Sequence, residues 1–384
     1  MSASSGADSL LTIDISAIVA NWRTLDTRSG TSTETAGVVK ADAYGLDATQ
    51  IAPQLAAAGC QTFFVMSLAE AVTLRTSLGQ AGHGTARILT LSGCHKGQEA
   101  DFIHHDIMPV INSLQQAGRL DTFARETGSK ISAALHFDTG MSRLGLDAQE
   151  TDWIIDRMAD DHNAFAGLDF QIVMSHLTSA EDTLDDANQV QLDQFQRIRT
   201  FFPQATASLA NSGGILLGKA FHQDLTRPGI ALYGLHPADT NDDIGVGPDA
   251  GLLKPAVTWQ ARILQLRQVS AGDKVGYNGT HQMTRDGQIM TLGVGYADGY
   301  PRALGNRAKV VVAGREAPVV GRVSMDSITV DVTDIPAQIL EHQTMATVLG
   351  ETYPLARMAA DAGTIGYEIL TQLGRRPERR FLTA

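Results

Sequence analysis

Short apolar runs alternate with amphipathic segments over the first two-thirds of the chain. Eight runs have the length of a strand, and most are apolar throughout, as is typical of strands buried on both faces. They lie at residues 37–40, 63–67, 87–91, 107–111, 132–137, 168–175, 205–210 and 225–230. Between them, residues 48–58 and 185–202 carry apolar side chains at helical spacing. This alternation predicts an α/β fold, a (β/α)8 barrel of the TIM type. A doubly wound open sheet is the alternative, and the lack of a GxGxxG motif after the first strand weighs against it.

The pattern changes after about residue 240. Residues 241–251 (NDDIGVGPDAG) are turn-rich and acidic, as is typical of a linker. Beyond them, strand-like pieces are separated by turn signals, and one amphipathic helix follows at residues 354–362. The strand-like pieces lie at residues 256–269, 290–294, 309–313, 317–323 and 327–332. We therefore expect a barrel over residues 1–240 and a β-rich domain over residues 241–384, with the first strand, near residues 11–15, joining the second domain.

Composition and charge narrow the class of protein. The 384 residues include 43% hydrophobic residues, enough for a sizeable core. Lys and Arg total 30 against 42 Asp and Glu, a net charge of −12, which disfavours non-specific binding to nucleic acid or anionic membranes. Two cysteines without a CxxC motif indicate reduced thiols rather than a disulfide framework. With no signal peptide and no apolar run of about 20 residues, we expect a soluble, cytoplasmic protein.

A lysine follows the first barrel strand directly. Lys40 stands after two valines, in the segment VVKADAYG. The carboxyl ends of barrel strands face the active site, and a partly desolvated lysine becomes a usable nucleophile or base. A lysine that extends to solvent at the barrel rim would show the same local pattern.

A glycine-rich segment, ANSGG at residues 210–214, follows the seventh strand, and Arg227-Pro228-Gly229-Ile230 belongs to the eighth. The loops after these two strands often hold a phosphate group in barrels, with help from the N-terminus of a short helix. A glycine pair alone is also typical of an ordinary turn. A lysine amine and a phosphate cradle in one barrel mouth together indicate a pyridoxal 5′-phosphate site. The sequence has no HExxH motif and no Cys/His pattern with the spacing of metal ligands, so no metal site is predicted.

Several further motifs occur in a fixed order along the chain. After VVKADAYG come FDTGMSRLG (137–145), ANSGG, RPGIALYGL (227–235), LKPAV (253–257), KVGYNGTH (274–281), GVGYADGYPR (293–302) and GRVSMD (321–326). In this combination the chain resembles the alanine racemase family, enzymes of fold type III that use pyridoxal phosphate. The resemblance implies an isomerase that interconverts L-alanine and D-alanine, supplies D-alanine for peptidoglycan, and works as a homodimer with shared active sites.

The same resemblance implies a role for each site residue. Lys40 would form the Schiff base and act as one base, and Tyr277, from the partner subunit, would act as the other. The cofactor would contact Lys40, Tyr44, His176, Asn211, Ser212, Arg227, Gly229, Ile230 and Tyr367. Within this set, Arg227 would face the pyridine nitrogen and disfavour its protonation. The substrate would contact Arg143, Met325, Asp326 and Tyr296.

The chain departs from the family pattern at His136. Many relatives have a carbamylated lysine at this position, and a histidine cannot be carbamylated in that way. We therefore expect His136 itself, or a bound anion, to orient Arg143.

Three other functions remain as alternatives. A broad-specificity or serine racemase of the same fold type would share most of these motifs. An amino-acid decarboxylase is disfavoured, because those relatives are longer and carry a late cysteine segment that this chain lacks. A non-enzymatic carrier of pyridoxal phosphate is disfavoured as well, because the single-domain homologues lack a C-terminal β domain.

Overall fold

The computed structural model describes residues 6–161, 163–237 and 251–383. The chain divides into two compact units. The barrel unit comprises Val19–Leu232 and His236–Ala238, and the β unit comprises Met1–Ile18, Tyr233–Leu235 and Asp239–Ala384. The linker predicted at residues 241–251 lies, apart from its last residue, outside the described part of the chain.

Strands and helices are numbered separately in chain order. The strands are β1 (Ser9–Asp14), β2 (Glu34–Thr35), β3 (Gly37–Val38), β4 (Thr62–Val65), β5 (Arg87–Thr90), β6 (Met108–Ile111), β7 (Ile131–His136), β8 (Leu168–Met174), β9 (Thr206–Ser208), β10 (Leu225–Thr226), β11 (Val257–Val269), β12 (Lys274–Val275), β13 (His281–Gln282), β14 (Gly287–Leu292), β15 (Lys309–Val312), β16 (Arg315–Pro318), β17 (Ile328–Asp331), β18 (Met345–Leu349) and β19 (Glu378–Leu382). The helices are α1 (Ile15–Ser29), α2 (Lys40–Gly45), α3 (Ala48–Ala57), α4 (Leu68–Gln80), α5 (Glu99–His104), α6 (Leu114–Thr127), α7 (Ala148–Asp160), α8 (Ala187–Arg199), α9 (Ser212–Leu217), α10 (Lys219–His222), α11 (Ala337–Leu340), α12 (Leu355–Ala362) and α13 (Gly366–Thr371). No helix in the described ranges is both long and apolar enough to cross a bilayer.

The barrel unit is built on parallel strands. Strands β3 to β9 form one sheet in chain order, and β10 pairs in parallel with β2, which precedes β3 in the same extended segment. On one side of β10, the Val38 amide donates to the Pro228 carbonyl; on the other, the Arg227 amide donates to the Ala210 carbonyl. These bonds close the sheet, and the predicted TIM-like barrel is confirmed.

Local sequence explains why strands and helices alternate. Strands β4 (TFFV) and β6 (MPVI) are apolar or β-branched except for one proline, and they are completely buried. Side-chain caps begin the helices that follow: the side chains of Asp47, Ser67, Ser113 and Asp147 accept first-turn amides of α3, α4, α6 and α7. Each cap fixes the residue at which a helix begins. The alternation of strands and helices is the one that the apolar pattern predicted.

Several predicted boundaries differ from those of the structure, and three of them have a clear local cause or a large shift. The eighth strand ends at Thr226 instead of residue 230, because the chain turns into a 3-10 helix at Ile230–Tyr233. Helix α8 begins at Ala187 because the Asp185 carboxylate accepts that residue's amide at 2.9 Å. The strand predicted at 317–323 lies at Arg315–Pro318. Two short helices, α11 and α13, were not predicted.

The β unit is built on a mostly antiparallel sheet. Its strands run in the order β16-β15-β18-β11-β1-β19, and β14 and β17 extend it from β11. Strand β1 is antiparallel to β11 and parallel to β19. The rings of Trp259 and Tyr300 meet edge to face at 6.0 Å and are completely buried. The turn signal at residues 313–315 is confirmed, since Ala313 and Gly314 both have positive φ and join β15 to β16.

Candidate active site

The carboxyl ends of the barrel strands bring basic side chains together. Lys40 follows β3, His136 ends β7, His176 lies beyond β8 and Arg227 follows β10. Parallel strands of a barrel end on the same face, so these side chains share one mouth. Arg143, in the loop after β7, is close enough to lower the pKa of Lys40, His136 and His176. The mouth therefore concentrates positive charge and suits an anionic ligand.

Lys40 stands at the start of a left-handed turn. The four residues that follow it, 41–44, have φ between 52° and 58°. Each non-glycine residue in this conformation costs about 1–2 kcal/mol, so neighbouring groups must hold the turn. One such group is Glu70, whose Oε1 accepts the Ala41 amide at 3.1 Å. Backbone strain beside a single lysine is typical of a functional site.

The Lys40 amine lies in surroundings that disfavour its charge. Burial and the charge of Arg143 lower the pKa of Lys40, and the carboxylate of Glu70 partly opposes them. A lower pKa increases the fraction of free amine, which is the form that attacks a carbonyl carbon or accepts a proton.

Arg227 is 4% exposed and has no carboxylate partner among the described residues. Its Nη1 donates to Ser208 Oγ, and its Nη2 donates to the Ser175 carbonyl at 2.6 Å and the Leu209 carbonyl at 3.3 Å. Burial lowers the pKa of Arg227 to about 9. In the described part of the chain its Nε has no acceptor, so the guanidinium retains an N–H donor there for a ligand.

Two histidines in the mouth are held neutral. Burial, followed by the charge of Arg227, lowers the pKa of His176 well below its usual range and that of His136 to about 4. His136 Nδ1 lies 2.8 Å from Asn112 Oδ1. Because Asn112 Nδ2 already donates to two backbone carbonyls, Oδ1 must accept and His136 Nδ1 carries the proton. His136 Nε2 is then left as an acceptor.

The segments after β9 and β10 are joined through one serine. Ser212 Oγ accepts the amides of Gly229 and Ala231 at 2.9 and 3.3 Å. Ser212 is also the first residue of α9, whose N-cap Asn211 accepts the Gly214 amide at 2.9 Å. A hydroxyl and a helix start therefore lie beside the turn that follows the eighth strand.

The same turn approaches a tyrosine very closely. A Cβ at position 229 would collide with Tyr44 Oη, so Gly229 is the residue that allows this approach. The amides of Ser212 and Ile230 have no acceptor within the described ranges. Free amides and a hydroxyl on two adjoining segments are the kind of donors that bind a phosphate group.

The β unit carries large side chains on its surface. Tyr277 is 70% exposed and begins a 3-10 turn, Met325 is 53% exposed and Tyr296 is 43% exposed. The Tyr296 amide donates to the Ser324 carbonyl at 3.1 Å, which places Tyr296 beside Met325. Tyr367 lies in α13 and is half-buried.

Asp326 is held by an arginine that the motifs did not single out. Arg376 Nη1 donates to Asp326 Oδ1 at 2.5 Å. The same guanidinium donates twice to the buried Asp298, at 2.6 Å each. Asp298 Oδ2 in turn accepts the Gly295 amide, so one ion-pair network fixes the segments around Tyr296 and Asp326.

Comparisons with known proteins cover almost the whole chain. A model described as alanine racemase, N-terminal domain, matches residues 13–237, and one described as alanine racemase, C-terminal domain, matches residues 256–381. The chain belongs to the alanine racemase family. Alanine racemase from Acidiphilium cryptum is 44% identical over 96% of this chain and 97% of that protein. Alanine racemase from Brucella canis is 41% identical over 98% of this chain and 94% of that protein.

Solved alanine racemases share the fold of this chain. The structure from Bartonella henselae, which has covalently bound pyridoxal phosphate, is 38% identical and has a TM-score of 0.87 over 98% of this chain and 100% of that one. The biosynthetic alanine racemase from Pseudomonas aeruginosa is 31% identical and has a TM-score of 0.85 over 98% and 100% of the two chains.

For this member of the alanine racemase family, the structure groups the proposed site residues within each unit. The barrel unit holds Lys40, Tyr44, His136, Arg143, His176, Asn211, Ser212, Arg227, Gly229 and Ile230 at the carboxyl ends of its strands. The β unit holds Tyr277, Tyr296, Met325, Asp326 and Tyr367. Within the described barrel residues no direct hydrogen bond joins His136 to Arg143, so the link between them is electrostatic.

Sequence reasoning missed Glu70, Asn112 and Arg376. Each acts on a predicted site residue or its segment through a hydrogen bond or ion pair. Glu70 had one readable signal, since Ser67 three residues earlier predicts a helix start with a capping glutamate. The other two lie far in sequence from their partners and had no local signal.

Proposed function

We propose that this protein racemises alanine by a two-base reaction that depends on pyridoxal 5′-phosphate. One observation carries the proposal: a lysine of lowered pKa lies in the same barrel mouth as a buried arginine with a spare donor and the free amides of Ser212 and Ile230. In a chain of the alanine racemase family, this combination supports the cofactor and the reaction together.

The residues present fit the cofactor. The amides of Ser212 and Ile230 and the hydroxyls of Ser212 and Tyr44 would hold its phosphate. Lys40 would bind it covalently, and His176, neutral and packed against Arg227, would lie beside its ring. When bound, the cofactor acidifies the α-proton of an amino acid by accepting electron density from it.

Arg227 sets the character of the site. A guanidinium donates hydrogen bonds and does not accept them, so it meets a ring nitrogen as a donor. Even with its pKa lowered to about 9, Arg227 remains charged at neutral pH. Its charge disfavours protonation of that nitrogen and so favours racemisation over side reactions such as transamination.

Two groups would exchange the α-proton from opposite faces. The free amine of Lys40 would accept or return the proton at Nζ on one face, as its lowered pKa favours. Tyr277 Oη would serve the other face, and the guanidinium of Arg143 would bind the substrate carboxylate. Met325, Asp326 and Tyr296 would line the substrate entry.

We place Tyr277 and Met325 at the active site of a partner subunit, in a homodimer with shared sites. The exposure of both side chains, 70% and 53%, supports this placement, because it leaves them accessible to a second chain. We also propose that the protein is cytoplasmic and supplies D-alanine for peptidoglycan.

Reduction and substrate assays test the proposal. The purified protein should absorb near 420 nm, and borohydride followed by peptide mapping should find the cofactor on Lys40. Chiral chromatography of products from a panel of L-amino acids should show D-alanine as the dominant product. Equal or faster turnover of L-serine would favour the broad-specificity or serine racemase instead. A colourless protein that pyridoxal phosphate cannot reconstitute would overturn the proposal.

A further inference from the structure

A carboxylate outside the family motifs touches the backbone beside Lys40. Glu70 lies in the first turn of α4, whose N-cap is Ser67. Its Oε2 accepts the Met66 amide at 2.7 Å, and its Oε1 accepts the Ala41 amide at 3.1 Å. The two carboxylate oxygens therefore join the end of β4 to the residue that follows Lys40.

Only one of these two bonds is needed to begin a helix. In α6 the corresponding residue is Gln116, whose single carbonyl oxygen accepts the Asn112 amide at 3.0 Å. That bond does for α6 what Glu70 Oε2 does for α4. The bond from Glu70 Oε1 to Ala41 is additional, and it requires a carboxylate, because a glutamine would turn its own N–H group toward one of the two amides.

The backbone that Glu70 reaches is the strained part of the mouth. Residues 41–44 are left-handed, and the Ala41 amide points to Glu70 instead of to a neighbouring turn. Lys40 immediately precedes this segment, so the position of its Cα follows the position of the Ala41 amide. Glu70 also places a negative charge near the Lys40 amine, opposite in effect to Arg143.

We propose that Glu70 is a positioning residue, whose carboxylate fastens the Ala41 amide to the start of α4 and so fixes where the Lys40 amine stands in the barrel mouth. The proposal rests on the function proposed above for Lys40. Glu70 acts through the backbone and through its charge, and it takes no part in proton transfer itself.

A matched control exists in the same barrel. Glu150 lies in the first turn of α7, capped by Asp147, and its Oε1 accepts the Leu114 amide at 3.0 Å. Like Glu70 it is half-buried and accepts a hydrogen bond from a backbone amide of another segment. Among the described residues it makes no hydrogen bond to the Lys40 segment, and a glutamine can still accept its single amide through the carbonyl oxygen. Glu150→Gln therefore reports the effect of neutralising a half-buried glutamate in the first turn of a barrel helix.

The experiment compares wild-type holoenzyme with Glu70→Gln, Glu70→Asp and Glu150→Gln. Amide hydrogen exchange by mass spectrometry should show at least about tenfold faster exchange over residues 41–44 in both Glu70 variants. Glu150→Gln should leave exchange over residues 41–44 unchanged. In Glu70→Gln, kcat should fall by about tenfold or more while KM changes less, because misplacing a base by about 1 Å can cost about 10²-fold.

A spectroscopic titration separates positioning from stability. The charges that act on Lys40 are Arg143, which lowers its pKa, and Glu70, which raises it; the neutral His176 ring lies close by. Removing the Glu70 charge should shift the pH midpoint of the 420 nm band downward by at least about half a unit in Glu70→Gln. Glu70→Asp keeps the charge and should keep the wild-type midpoint.

The outcomes decide between failure of this inference and failure of the proposed function. An active, yellow wild type with a Glu70→Gln variant that matches Glu150→Gln in exchange, midpoint and kcat would overturn the role of Glu70 alone. A wild type that binds no cofactor would overturn the proposed function, while exchange over residues 41–44 would still test the contact with Ala41. If Glu70→Gln does not fold, the Glu70→Asp variant decides. Exchange over its residues 41–44 at the same rate as in the wild type would overturn the proposal.

Discussion

Single residues in the barrel mouth are arranged so that neutral bases lie among cations. His136 and His176 lie near the positive charges of Arg143 and Arg227. Protonating either ring would add another positive charge to the mouth and would be costly there. The proton on His136 Nδ1 is committed to Asn112, which fixes the tautomer. A neutral ring of fixed orientation keeps Nε2 as an acceptor, which a protonated histidine could not do.

This arrangement predicts a pH dependence of stability. The pKa of His136 is about 4 in the folded protein against 6.5 for an ordinary histidine. Between these values the unfolded chain binds more protons, so the free energy of unfolding should fall as the pH falls from 6.5 toward 4, by up to about 1.4 kcal/mol per unit for one such group. Chemical denaturation at several pH values should show a shallower slope for His136→Gln. His104→Gln, on the exposed surface, is the control; equal slopes in both variants would contradict the prediction.

Tyr277 and Lys40 predict an asymmetric exchange of the α-proton. Tyr277→Ala keeps the Lys40 amine, so racemisation should fall by about 10²–10⁴ in both directions. Deuterium from heavy water should still enter D-alanine slowly, since Lys40 can remove and return that proton on its own face. L-alanine should show almost no exchange. Proton NMR of each enantiomer checks this, and equal exchange into both would reject the assignment of faces.

At this scale, the sequence revealed a site residue only where the residues that identify it are its neighbours in sequence. Lys40, Ser212 and Arg227 were found because each lies in or directly after a predicted strand, and their neighbours in sequence form the motif. Asn112 and His136 are 24 residues apart and meet only because β6 and β7 are neighbours in the barrel. Pairing between side chains of different strand ends is a property of the closed sheet, and a single sequence does not display it.

At the scale of elements, the turn after β10 is held by close contacts on two sides. Gly229 allows Tyr44 Oη to approach the backbone while Ser212 accepts the Gly229 amide. The sequence placed residues 227–230 in a strand, because apolar runs do not reveal where hydrogen bonding to the neighbouring strands stops. The 3-10 helix that begins at Ile230 is what leaves that residue's amide free for a ligand.

Gly229→Ala should therefore weaken cofactor binding with the fold intact. The new Cβ would displace the Tyr44 hydroxyl, and a lost hydrogen bond to a charged group is worth about 1.5–3 kcal/mol, or about 10- to 160-fold in Kd. Titration of the apoprotein with pyridoxal phosphate, followed at 420 nm, measures this change. Gly118→Ala on α6, where a Cβ meets nothing within 4 Å, is the control. Wild-type affinity in Gly229→Ala would show that Tyr44 does not contact the phosphate.

At the scale of the whole molecule, the proposed chemistry is divided between two units of one chain. The barrel unit supplies Lys40, and the β unit supplies Tyr277. The apolar pattern predicted both units, because strands buried on both faces and strands separated by tight turns differ in period and length. It did not reveal the ion pairs of Arg376 with Asp298 and Asp326, which join residues 78 and 50 positions apart.

If the site is shared between subunits, mixing two inactive variants should recover activity, which a site within one chain would not allow. A Lys40→Ala chain retains Tyr277, and a Tyr277→Phe chain retains Lys40, so each homodimer should be nearly inactive. In a heterodimer with sites shared between subunits, one site combines both intact residues and the other combines both defects. Random exchange makes half of the dimers mixed, and each has one working site of two, so activity should recover to about a quarter of wild type. Mixing the two variants, proving exchange by native mass spectrometry of differently tagged chains, and assaying D-alanine formation measures this recovery. Proven exchange without recovered activity would mean that Lys40 and Tyr277 act within one chain.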